Sequence, residues 1–141
     1  MENNKLITTL DISWENIKGL LDLKDYPDLI ELRCHHNEIT KIINFPQNLQ
    51  YLHCSDNKIK NLDNLPQNLK KLYCYNNKIK NLNNLSPNLK KLYCFANKIR
   101  NLDNLPQKLQ ILYCDDNKII NLNNLPLNLI ILYCYKNKIK I

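Results

Sequence analysis

Glycine is almost absent from this sequence, with Gly19 as the one example in 141 residues. A Gly-rich phosphate-binding loop is therefore excluded. No apolar run approaches the about 18 residues of a membrane span, and the start Met1-Glu2-Asn3-Asn4-Lys5 lacks the basic-then-apolar pattern of a signal peptide. We therefore expect one domain of ordinary size in a reducing, intracellular (cytoplasmic) compartment, with no membrane association.

Charge is unevenly distributed along the chain. Residues 1–38 carry eight acidic side chains against four basic ones, whereas residues 39–141 carry sixteen basic side chains against five acidic ones. The net charge of +7 is therefore that of a basic body behind an acidic start. Such a distribution raises the question of a polyanionic partner.

Six cysteines recur at intervals of twenty residues, and the residues around them keep the same interval. The cysteines are Cys34, Cys54, Cys74, Cys94, Cys114 and Cys134. Leucine stands five residues and two residues before each cysteine, asparagine three residues after it, and isoleucine five residues after it. A further apolar residue, usually followed by proline, completes the unit L-x-x-L-x-C-x-x-N-x-I-x-x-L-x-x-L-P-x-N. A period this strict predicts a repeat array.

The unit contains one short strand. Alternation around Leu32-Arg33-Cys34 places Leu and Cys on one face and Arg on the other. In-phase repeats then stack their strands in a parallel sheet, spaced about 4.8 Å apart. The few residues left for the return are too short for a full helix, so extended or turn segments are expected on the outer side.

The pattern resembles the leucine-rich repeat, with cysteine at the third apolar position of L-x-x-L-x-L-x-x-N. The length of twenty residues and the leucine-proline step look most like the repeats of bacterial effectors, and like leucine-rich repeat proteins of giant DNA viruses. The resemblance implies a curved repeat solenoid with a parallel β-sheet on its concave face and little helix. It implies a scaffold for binding other proteins rather than one defined activity.

The array divides into an atypical first coil and six repeats. Residues 1–28 follow the spacing imperfectly, with two extra residues before Pro27 and Glu15 in place of the asparagine, so we expect an N-terminal cap with Trp14 as its large apolar piece. The segment from Ser13 to Ile17 could alternatively begin a short helix. Residues 29–141 form six repeats, and the last one is truncated at Ile141.

The cysteines are expected to be small buried hydrophobes. Equivalent positions on adjacent parallel strands lie about 4.8 Å apart and point the same way, which does not suit the about 3.8 Å between the Cβ atoms of a disulfide. A linear row of thiolates cannot converge on one zinc ion either. The sequence therefore predicts free thiols, no metal and no cofactor.

The asparagine of each repeat lies among buried positions. An unpaired buried amide would cost about 1–3 kcal/mol, so these side chains are expected to bond the backbone of the turn that leaves each strand. The predicted structural ladder is Asn37, Asn57, Asn77, Asn97, Asn117 and Asn137.

The concave face is the predicted contact surface for an unidentified partner protein. Its side chains flank the inward leucine and cysteine, and the C-terminal two-thirds of the face is aromatic with isoleucine added. The predicted partner-binding residues are Tyr73, Tyr75, Tyr93, Phe95, Ile111, Tyr113, Ile131, Tyr133 and Tyr135. Exposed tyrosines serve as interface anchors, but rings on adjacent strands can instead stack on each other, and both can hold together.

A lysine in each repeat, between the buried asparagine and isoleucine, must point outward. These residues form a predicted basic rim of Lys58, Lys78, Lys98, Lys118 and Lys138. The rim is either a solvated edge or a site for phosphate or nucleic acid, which is the alternative function.

The last repeat is more apolar than the others. Leu127, Ile130 and Ile131 replace the Gln and Lys of earlier copies, and no return segment follows Ile141. An unprotected apolar strand predicts self-association or docking through this end.

Catalysis is not expected. His35, His36 and His53 lie near Ser55, Asp56 and Cys34, but Cys34 faces the core while His35 faces solvent, and no third residue recurs to orient a base. The sequence therefore predicts no catalytic residues.

Overall fold

The computed structural model describes residues 6–140, which form a parallel solenoid without a helix. Seven strands make one parallel sheet in the order β1-β3-β5-β6-β7-β8-β9, and two make a second, parallel pair, β2-β4. The strands are β1 Thr9–Asp11, β2 Lys18–Asp22, β3 Glu31–Arg33, β4 Glu38–Ile43, β5 Tyr51–His53, β6 Lys71–Tyr73, β7 Lys91–Tyr93, β8 Ile111–Tyr113 and β9 Ile131–Tyr133. This architecture confirms the predicted fold class.

The register of the seven-stranded sheet follows the sequence period. Leu52 pairs with Leu72 and Leu72 with Leu92, so identical repeat positions lie side by side. The first pair differs, because Thr9 of β1 lies opposite Glu31, 22 residues along the chain. The two extra residues before Pro27 are thus accommodated between β1 and β3 without a change in the sheet.

A second sheet forms only over the first coils. β2 and β4 pair with a register irregularity between Gly19 and Leu20, where Gly19 has a φ of 77°. β4 contains Thr40 and Ile43 where the next repeat has Lys60 and Asp63. Because β-branched residues favour a strand more than Lys or Asp does, the later outer segments are turns and extended chain.

The core is a stack of identical positions. The leucine before each strand, the leucine within it, the cysteine after it and the isoleucine beyond the asparagine are fully buried from Leu29 to Ile119. Backbone bonds join each coil to the next outside the strands as well, for example from Cys54 N to Tyr73 O at 2.9 Å and from Lys78 N to Ile59 O at 2.8 Å. Each repeat therefore depends on its neighbours for both burial and hydrogen bonding.

The segment after β1 is a turn rather than the short helix considered from the sequence. Ser13 N donates to Asp11 Oδ1 at 3.0 Å, and Trp14 and Asn16 have φ values of 64° and 56°. Trp14 is 70% exposed, so its side chain contributes little to the buried core. Between residues 6 and 140 there is no helix long and apolar enough to cross a membrane.

Candidate protein-binding face

Three columns of side chains cross the strands of the seven-stranded sheet. We call the surface that these side chains form the strand face. The residue before the inward leucine gives the first column, the residue after it gives the second, and the residue after the cysteine gives the third. The first column is Glu31, Tyr51, Lys71, Lys91, Ile111 and Ile131; the second is Arg33, His53, Tyr73, Tyr93, Tyr113 and Tyr133; the third is His35, Ser55, Tyr75, Phe95, Asp115 and Tyr135. All nine predicted contact residues lie in these columns.

The tyrosines of the second column form a continuous stack. The ring centroids of Tyr73 and Tyr93 are 4.5 Å apart with an interplanar angle of 5°. Tyr93 and Tyr113 follow at 4.9 Å and 25°, and Tyr113 and Tyr133 at 4.5 Å and 19°. Strand spacing and ring spacing coincide, so one face of each ring from Tyr73 to Tyr113 is covered by the ring of the next repeat.

The stack determines which parts of the tyrosine side chains remain accessible. Because the ring faces of Tyr93 and Tyr113 are occupied by each other, what remains accessible is ring edges and phenol hydroxyls. Burial raises the pKa of the Tyr73, Tyr93 and Tyr113 hydroxyls, so each stays protonated at neutral pH and can donate as well as accept a hydrogen bond. The sequence alone left stacked and free rings as open alternatives.

The third column is only partly stacked. Tyr75 and Phe95 lie face to face at 4.4 Å and 5°. Asp115 follows, 7% exposed, and its Oδ1 accepts a hydrogen bond from Tyr135 N at 2.9 Å. Tyr135 is 62% exposed, and Lys136 Nζ lies 5.7 Å from its ring centroid.

The N-terminal part of the face is polar and carries His35 and His53 in its columns, with His36 beside His35. The rings of His35 and His53 meet edge to face at 4.1 Å, and His36 stacks on Trp14 at 3.8 Å and 16°. The Trp14–His36 pair could not be found from the repeat pattern, because Trp14 lies in the irregular first coil.

His35 and His53 are held mainly in the neutral form. Burial, with the neighbouring His35, lowers the pKa of His53 to about 4, and burial also lowers the pKa of His35. Among the described residues, His35 Nδ1 and His53 Nε2 are buried without a hydrogen-bond partner, and the nearby carboxylates, among them Asp56, offset the cost of burying a charge there only in part.

The imagined nucleophile–base grouping is not assembled. Cys34 is fully buried, and burial raises its pKa to about 12, which disfavours the reactive thiolate. Ser55 is also fully buried, and its Oγ has no hydrogen-bond partner in the part of the chain that the structure describes. Among the described residues, no group of three or more His, Cys, Asp or Glu side chains is placed to hold a metal ion.

The asparagines beneath the face tie adjacent coils together. Asn97 Nδ2 donates to Cys94 O at 3.1 Å in its own repeat and to Cys74 O at 3.0 Å in the preceding one. Its Oδ1 accepts from Ile79 N at 2.9 Å. The same cross-repeat bonds recur at Asn57, Asn77, Asn117 and Asn137.

The six cysteines are free thiols, five of them buried and Cys134 partly so. Burial raises the pKa of Cys54, Cys74 and Cys94 well above the ordinary value. The thiols therefore act as apolar packing groups between the leucine and isoleucine columns.

The basic rim lies beyond the turn that ends each strand, outside the three columns. All five lysines are exposed. Lys58 Nζ bonds Glu38 Oε2 at 2.6 Å, whereas the other four have no acidic partner within 4 Å in the described part of the chain.

Comparisons with known proteins agree with this geometry. A family model described as leucine-rich repeats (two copies) matches residues 47–87 and 67–107. A Shigella effector LRR domain superposes with a TM-score of 0.83 at 25% identity, covering 96% of this chain and 61% of that one. YopM from Yersinia enterocolitica gives 0.77 at 29%, covering 93% and 33%. The functional domain of InlJ from Listeria monocytogenes, which includes a cysteine ladder, gives 0.69 at 27%, covering 96% and 36%.

These proteins are longer than this chain, which limits the functional conclusions that the structural similarity supports. The chain spans 61% of the Shigella domain and 33% of the YopM chain, so the activities of those whole proteins do not follow from the match. Among curated proteins, no sequence matches this chain significantly.

Proposed function

Since the chain is a leucine-rich repeat protein, we propose that it is a non-catalytic interaction module whose strand face binds a partner protein through the aromatic columns. Repeats of this family are protein-binding scaffolds in general, and typically not catalytic. The proposal adds which surface makes the contact.

The observation that carries the proposal is the stacked second column. Four tyrosine rings, from Tyr73 to Tyr133, are held in one row by their neighbours. A side chain that is already ordered loses little entropy on binding, and a tyrosine edge offers apolar area together with a hydroxyl. Ile111 and Ile131 extend the row with apolar area in the first column, since they pair in register beside Tyr113 and Tyr133.

The test separates the contribution of the tyrosine hydroxyls to binding from that of the ring stack. Tyr93→Phe with Tyr113→Phe keeps the rings and removes two hydroxyls, so stability is expected to change little, whereas Tyr113→Ala also breaks two ring contacts at about 0.5–1.5 kcal/mol each. Proteins are captured on immobilised wild type, on both variants and on Asn101→Ala, which changes an exposed residue away from the face.

We expect a partner that wild type and Asn101→Ala retain and that both tyrosine variants lose. A partner held equally by all four proteins would place the contact elsewhere and overturn the proposal.

The alternative proposal is binding of a polyanion along the basic rim. It is favoured by the four rim lysines that have no acidic partner among the described residues, since like charges about 4.8 Å apart on successive coils attract a counter-anion. Affinity for single-stranded nucleic acid should then fall steeply with salt and disappear when Lys78, Lys98 and Lys118 are changed to Glu. Salt-independent binding, or no binding, would remove this alternative.

Self-association through the last repeat forms part of the proposal. Leu127 is 96% exposed and Ile130 is 77% exposed, at positions that are Gln107 and Gln110 in the preceding repeat. Light scattering should show a dimer or larger species that Leu127→Gln with Ile130→Gln converts to monomer. A wild type that is monomeric at high concentration would contradict this.

The proposed setting is a reducing, cytoplasmic compartment. It is supported by the six free cysteines, which an oxidising compartment would put at risk of pairing between chains.

A further inference from the structure

The third column has two places where a ring is missing. Ser55 stands between His35 and Tyr75, and Asp115 stands between Phe95 and Tyr135. Between adjacent tyrosine and phenylalanine rings within the second and third columns, the centroids lie 4.4 to 4.9 Å apart, as between Tyr75 and Phe95 or between Tyr93 and Tyr113. Each small residue therefore leaves space for one ring.

A neighbouring ring occupies the space at Ser55, whereas the space at Asp115 is left open. Over Ser55, the His53 ring lies 4.1 Å from His35 and 5.9 Å from Tyr75. Beside Asp115, the equivalent Tyr113 is stacked within its own column on Tyr93 and Tyr133. Within residues 6–140, Tyr135 has no aromatic partner, and an open groove of about 550 Å³ is lined by Phe95, Asp115 and Tyr135 together with residues on either side.

The space between Phe95 and Tyr135, which we call the Asp115 gap, suits one planar group. The two residues are two repeats apart, so at the spacing of parallel strands their rings are separated by about 9–10 Å. A planar group midway lies about 4.8 Å from each ring, close to the spacing of the stacked tyrosines. A bulkier group would have to displace the rings.

The lining of the groove is acidic on balance. Asp115 forms the base of the gap and Asp116 adjoins it, while Lys136 is the basic residue of the lining. Within residues 6–140, Asp115 Oδ1 accepts a hydrogen bond from Tyr135 N, whereas Oδ2 accepts none. Lys136 Nζ lies 5.7 Å from the Tyr135 centroid, so a cation of the chain itself already lies over this ring.

The same chemistry occurs within this molecule at the other end of the face. Arg33 Nε donates to Glu31 Oε1 at 2.7 Å, while its guanidinium carbon lies 5.2 Å from the Tyr51 ring centroid. A guanidinium, a carboxylate and a tyrosine ring thus already fit together on adjacent strands of this sheet.

We propose that the Asp115 gap binds the guanidinium of an arginine side chain from the partner protein, sandwiched between Phe95 and Tyr135 and paired with Asp115. Arginine combines the flat shape that the gap needs with the charge that the carboxylate needs. A lysine ammonium is not planar, and a neutral aromatic ring would desolvate Asp115 without pairing it. This inference rests on the proposed function, because it names one residue that a partner on this face presents.

The experiment uses acetyl-arginine methylamide as the probe and the two phenylalanines of the chain as reporters. With isotope-labelled phenylalanine, the ring signals of Phe95 report on the gap, and those of the buried Phe45 report on the fold. We expect a saturable shift of Phe95 alone. The neutral citrulline derivative and the lysine derivative should bind at least about tenfold more weakly, because they lose the charge-assisted pair or the stacked plane.

Three substitutions complete the test. Asp115→Asn should weaken arginine binding by at least about tenfold. Asp115→Tyr fills the gap with a tyrosine, which is the residue at the equivalent position of two other repeats, Tyr75 and Tyr135. It should abolish binding while the Phe45 signals persist. Lys136→Gln should raise the affinity roughly two- to five-fold by removing the competing ammonium.

No shift at Phe95, equal binding of the lysine or citrulline derivative, or unchanged binding to Asp115→Asn would overturn the inference. These outcomes do not depend on partner capture. If the probe fails while the Tyr93 and Tyr113 variants still lose a partner, the arginine gap is wrong and the proposed function stands. If the probe binds while wild type and the tyrosine variants hold a partner equally, the Asp115 gap binds arginine and the proposed function is wrong.

Discussion

Replacing Asn97 by alanine is expected to lower the free energy of unfolding by at least about 3 kcal/mol, because it leaves three buried backbone groups without a partner at about 1–3 kcal/mol each. The lost partners are Ile79 N, which donates to Asn97 Oδ1, and the carbonyls of Cys74 and Cys94, which accept from Nδ2. Urea unfolding followed by circular dichroism measures the change.

Two other asparagines serve as controls for this prediction. Asn101→Ala lies in the same repeat but is exposed, so it should change the free energy of unfolding by less than about 0.5 kcal/mol. Asn137→Ala removes the same type of bonds from a half-buried site, so its effect should lie between the two. Equal effects of Asn97→Ala and Asn101→Ala would show that the asparagine ladder does not stabilise the array.

Acidification is expected to destabilise the protein through His53. The folded pKa of His53 is about 4, below its ordinary 6.5, because burial and the neighbouring His35 oppose its charge. The unfolded imidazole therefore takes up its proton at a higher pH than the folded one. Its contribution is complete above pH about 6.5 and is lost as the pH falls toward about 4.

The size of this effect is reduced by the partial exposure of His53. Discounted for solvent screening, the loss between pH 7 and 4.5 is about 1–2 kcal/mol. His53→Tyr, which installs the residue of the following repeats, should flatten the dependence of stability on pH over this range. The variant and the wild type are compared by urea unfolding at each pH. Parallel pH profiles would contradict the assignment to His53.

The fold was predictable because the repeat period and the sheet register are the same quantity. Leu32, Leu52 and Leu72 can pair side by side only if each segment of twenty residues contributes one strand, and the observed pairing follows that rule. Contacts between adjacent repeats are sufficient to predict this fold, since each coil touches only its neighbours.

The detail of the face was less predictable. Spacing places Tyr73 and Tyr93 on one side of the sheet, but whether their rings stack depends on rotamers chosen jointly by neighbouring repeats. The Trp14–His36 stack was not predicted from the sequence because Trp14 lies outside the regular repeats. The Asp115 gap has a sequence signal, an acid in an otherwise aromatic stretch of the third column, yet its meaning depends on Tyr113 remaining in its own stack.

The alternation of inward thiols and outward phenols is most directly tested by thiol labelling of the folded chain of 141 residues. The account predicts that Cys134, which is partly exposed, reacts quickly with a small thiol reagent, while the five buried cysteines react only as fast as the protein unfolds. Rapid labelling of any cysteine from Cys34 to Cys114 under native conditions would contradict it.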